Sequence, residues 1–86
     1  MKIDVTQEDI DRGVKGACTQ CPVALALARA FPDVYVDVAT TQLLVGDEFI
    51  RAPSVVSIFI EDFDDGEPVQ PFSFDLDLPP VEAEGR

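Results

Sequence analysis

The sequence contains no histidine and only 6 basic residues against 17 acidic ones, a formal charge of -11. Without imidazole the chain lacks the commonest general base and a common nitrogen ligand for metals. The shortage of cations argues against direct DNA or RNA binding and against anionic membranes, because phosphates repel so acidic a surface. Also missing are a glycine-rich phosphate cradle, a Gly-x-Ser-x-Gly turn and a lysine in an apolar setting. Paired carboxylates can do acid-base work on glycosides, but 86 residues leave no room for a cleft that holds a sugar. These absences predict a protein that is not an enzyme.

No apolar run approaches the roughly 18 to 20 residues of a membrane span, and Met1-Lys2-Ile3-Asp4 lacks the layout of a signal peptide. The expected location is the cytoplasm. There the two cysteines are expected as thiols or metal ligands rather than as a structural disulfide.

A hydrophobic share of 47% and a charged share of 27% are those of a chain that folds, with one modest core at this length. Ile3 and Val5 alternate with polar neighbours and predict a short strand. Thr6 offers an N-cap oxygen to a helix over about 7 to 12, with Asp9 in the capping-box position and Gly13 as its end. Pro22 suits the first position of a second helix, apolar on nearly every face through Ala28 and stopped at Phe31-Pro32. Such a helix belongs at the centre of the core.

Val34, Val36 and Val38, then Leu43 to Val45, then Phe49 and Ile50 beyond Gly46-Asp47, predict a meander of two or three antiparallel strands. Val55, Phe59 and Phe63 recur at helical spacing and predict a helix over 54 to 64. Phe72, Phe74, Leu76 and Leu78 alternate with polar residues as an edge strand, and residues 81 to 86 read as a loose acidic tail. The expected fold is α+β, with one domain over 1 to 80. An antiparallel sheet of about four strands packs on the central helix, in the order β-α-α-β-β-α-β.

Three stretches together carry a resemblance: Val5-Thr6-Gln7-Glu8-Asp9-Ile10, Cys18-Thr19-Gln20-Cys21-Pro22-Val23-Ala24-Leu25-Ala26, and Phe63 to Phe74 with its Gly66-Glu67-Pro68-Val69-Gln70-Pro71-Phe72. The chain resembles a group of small proteins of actinobacteria and their bacteriophages. That group shares an early Asp-Ile, a helix start at Cys-x-x-Cys-Pro and a strand start at Gly-x-Pro-Val-x-Pro-Phe. The resemblance spans most of the sequence. It implies a phage origin, hence the cytoplasm of a host cell, and brings no catalytic residues.

Cys18 and Cys21 stand three apart, a spacing at which two thiolates can share one zinc ion. Structural zinc wants four ligands, and with no third cysteine a full sulfur shell requires a second chain and therefore a dimer. A thioredoxin-like redox site fits poorly, because Pro22 starts the helix after the second cysteine rather than after the first. Two small buried apolar side chains are the plain alternative.

Glu61, Asp62, Asp64, Asp65 and Glu67 crowd the end of the third helix. Set on an EF-hand calcium loop with Gly66 sixth, the stretch puts Phe63 third and Phe72 twelfth, and the template fails. Acids at a helix C-terminus oppose its dipole, so helix stability does not account for them.

The charge is also uneven, net -2 over residues 1 to 40 and -9 over 41 to 86. The leading expectation is an accessory protein that binds another protein, with 47 to 48, 61 to 67 and 75 to 77 as the contact surface. It would inhibit a host nucleic-acid-binding protein by placing carboxylates where phosphates go. The alternatives are a metal-linked or redox-sensitive dimer through Cys18 and Cys21, and a homo-oligomer joined at the edge of the last strand.

Overall fold

In the computed structural model, residues 1 to 76 are described, in the order β1 (Lys2–Val5), α1 (Gln7–Arg12), α2 (Pro22–Ala30), β2 (Val36–Val38), β3 (Gln42–Val45), β4 (Glu48–Arg51), α3 (Ser54–Asp64) and β5 (Phe72–Asp75). The fold is α+β. The expected continuation of the last strand to Leu78, the acidic Asp77 and the tail over 81 to 86 lie outside the described residues.

The strands form two sheets instead of the single one expected. β1 pairs antiparallel with β5, Ile3 opposite Phe74 and Val5 opposite Phe72. The meander resolves into three strands, β2-β3-β4, with Val36 opposite Val45 and Leu43 opposite Ile50. At the β2 edge of the meander another segment takes the strand's place. The Val38 amide donates to the Cys18 carbonyl at 2.8 Å, so the connector before α2 takes a position on β2 that a fourth strand would need.

Each helix follows from its local chemistry. Thr6 caps α1 with a reciprocal pair of bonds, its Oγ1 accepting from the Asp9 amide at 3.2 Å and the Asp9 carboxylate accepting from the Thr6 amide at 2.9 Å. Helix α2 starts on Pro22 and buries Val23, Ala24, Ala26 and Leu27. It touches β1, β2 and α1, which makes it the centre of the core. Helix α3 buries Val56, Phe59, Ile60 and Phe63 and leaves Val55 and Ile58 outside.

The rings of Phe59 and Phe72 lie 4.7 Å apart and those of Phe72 and Phe74 5.9 Å apart, fastening α3 to β5. Among the described residues no helix is long and apolar enough to cross a membrane.

Candidate functional site

The connector between α1 and α2 is a closed loop. The Val14 amide donates to the Gln20 carbonyl at 2.8 Å, and Gly13 lies so close to the Pro22 ring that a Cβ there would stand 2.5 Å from its Cδ. Two contacts pin the loop to the rest of the molecule: the bond from Val38 to Cys18, and the Gly16 amide donating to Asp64 Oδ1 at 3.0 Å.

Cys18 and Cys21 therefore meet Asp64 around one partly open pocket of about 240 Å³, lined also by Val38, Thr40 and Ile60. Two features that sit apart in sequence, the cysteine pair and the acidic helix end, are neighbours in space.

The two thiols differ in character. Cys18 is exposed, whereas Cys21 is buried and serves as the N-cap of α2, its Sγ accepting from the Ala24 amide at 3.4 Å. Burial pushes the Cys21 thiol up, against the pull of the Ala24 and Val23 amides, and the nearby charge of Asp64 adds to the rise. A thiol held protonated is a poor nucleophile and a poor metal ligand. Among the described residues no group of three or more cysteines and carboxylates is arranged to hold a metal ion. Zinc through Cys18 and Cys21 therefore gains no third ligand within the described chain.

The acidic end of α3 is built on a turn that only glycine adopts readily. Gly66 has φ +82°, its amide donates to the Phe63 carbonyl, and the Glu67 amide reaches back to the Asp62 carbonyl at 2.9 Å. This pair of bonds closes the helix and holds Glu67 beside the last turn. Glu61, Asp64, Asp65 and Glu67 are exposed and Asp62 half-buried.

Helix α3 has no basic residue in its last turn, and none of these five carboxylates forms an ion pair among the described residues. Lys15 is the nearest cation to the turn, its Nζ 3.3 Å from where a Cβ on Gly66 would stand. The other acids expected on this surface sit on separate elements, Asp47 in the hairpin turn after β3, Glu48 on β4 and Asp75 on β5.

On the side of α3 away from the cysteine pocket, Val55, Ile58, Phe59 and Asp62 face the segment Pro68 to Phe72 across an open groove of about 280 Å³. Sequence reading missed this groove and grouped Val55 with Phe59 and Phe63; the signal was that Val55 and Ile58 are apolar in addition to the Val56, Phe59, Ile60 and Phe63 that fill the buried face.

Among the described residues no strand pairs with the outer edge of β5. Met1 and Leu76 exchange backbone bonds at 3.2 and 2.7 Å, so alternation along the ladder turns the backbone groups of Ser73 and Asp75 away from β1. The outer edge of β1 is occupied at Asp4, whose carbonyl accepts from Arg29 at 2.8 Å. Searches of family profiles, of curated proteins and of solved structures find no match to this chain.

Proposed function

We propose that this chain is a non-enzymatic accessory protein of phage type that works in the host cytoplasm by binding another protein through the acidic end of α3. One observation carries the reading. Four exposed carboxylates and a half-buried fifth crowd the negative pole of a helix with no basic residue in its last turn. There each acid opposes the helix dipole by a few tenths of a kcal/mol, and of the five only Asp64 returns a bond to the fold among the described side-chain contacts, to the Gly16 amide. Charge placed against local stability is best explained by what it meets in a partner.

The partner of best electrostatic fit is basic, and a host nucleic-acid-binding protein has a cationic groove ready for carboxylates in place of phosphates. The resemblance to actinobacterial and phage proteins supplies the host. Such binding weakens with salt, because the contacts form at a solvent-facing rim.

The test is affinity capture from an actinobacterial lysate with the wild-type chain and with a variant carrying Glu61→Gln, Asp65→Asn and Glu67→Gln. A basic protein retained by the wild type, released by salt and lost on the variant supports the reading. Equal retention by both chains overturns it.

A further inference from the structure

We infer that the groove between α3 and the segment Pro68 to Phe72 is the seat of an amphipathic basic helix from the partner, an inference that rests on the acidic-end reading. Its floor is firm, because the Phe59 and Phe72 rings lie 4.7 Å apart and Phe59 stacks in turn on Phe63. One wall is the exposed apolar stripe of α3, with Val55 47% and Ile58 59% exposed. The other is an extended stretch whose two prolines, Pro68 and Pro71, restrict its backbone before anything binds.

From Val55 to Asp62 the wall runs about 10 Å, close to two helical turns, which accepts apolar side chains at helical spacing. At the Asp62 end the lining turns acidic, and the exposed Glu67, whose amide bonds the Asp62 carbonyl, directly precedes Pro68 of the opposite wall.

Apolar along its length and negative at one end, the groove selects a helix with leucine-like side chains on one face and Lys or Arg beside them. A second copy of this chain is a poor occupant, since its net charge of -11 would meet the acidic rim with like charge. Anionic lipid fails for the same reason.

The experiment is fluorescence anisotropy with two labelled leucine-lysine peptides of about 14 residues, about four helical turns. One has its leucines on a single helical face and the other has the same composition scrambled. Ile58→Ser tests the apolar wall, with circular dichroism to confirm folding, which an exposed position tolerates. The ordered peptide should bind the wild type, and either scrambling or Ile58→Ser should weaken binding about tenfold.

Equal binding of both peptides, unaffected by Ile58→Ser, overturns the groove and leaves the acidic end as the contact. If neither peptide binds the wild type, the groove and the acidic-end reading fall together. A dimer in sedimentation velocity that Ile58→Ser disperses makes the groove a self-interface and overturns the inference.

Discussion

Asp9 joins the cap of α1 to helix α2. Its side chain is 5% exposed, accepts from the Thr6 amide, and takes both terminal nitrogens of Arg29 at 2.7 and 2.9 Å. Burial by itself would raise its pKa, but the bonds from Arg29 and Thr6 and the guanidinium charge together hold the carboxyl below the usual aspartate range. A depressed folded value stabilises the fold above the unfolded pKa of about 3.9, and the contribution disappears as pH falls through the folded value. Asp9→Asn should therefore lower stability by about 1 to 2 kcal/mol at neutral pH. In thermal melts the gap to wild type should narrow progressively below about pH 4.

The cysteines make a separate prediction at the same scale. Iodoacetamide should modify exposed Cys18 readily in the native protein and reach buried, protonated Cys21 only on unfolding, as mass spectrometry would count. Rapid double modification of the folded chain would contradict the burial of Cys21.

Among the elements, α3 carries the conflict between folding and charge. Its Gly66 turn satisfies the last carbonyls, but the carboxylates around that turn face the negative end of the helix. Asp65→Asn together with Glu61→Gln should raise stability by about 0.5 to 1 kcal/mol, a rise in melting temperature of about 2 to 8 °C. Partner binding should fall in the same variant. Asp64 does not belong in that variant, because its Oδ1 holds the Gly16 amide and so keeps the cysteine loop against α3. Elsewhere local signals were sufficient. The capping box at Thr6, the proline at the start of α2 and the helical spacing of Val55, Phe59 and Phe63 produce the expected helices with the expected bounds.

At the scale of the molecule, composition and periodicity determined the α+β class, the three helices and the central place of α2, because burial of an apolar stripe depends on spacing within one segment. They determined the excess of negative charge as well, since charge is a property of the residues themselves. Only the tertiary structure decided that there are two sheets, that Cys18 and Cys21 face Asp64, and that α3 with the Pro68 to Phe72 segment leaves an apolar groove. Each of these depends on contacts between distant parts of the chain, such as Gly16 with Asp64, 48 positions apart, or Cys18 with Val38. No local pattern records a pairing that exists only when the backbone amide of one segment finds the acceptor of another.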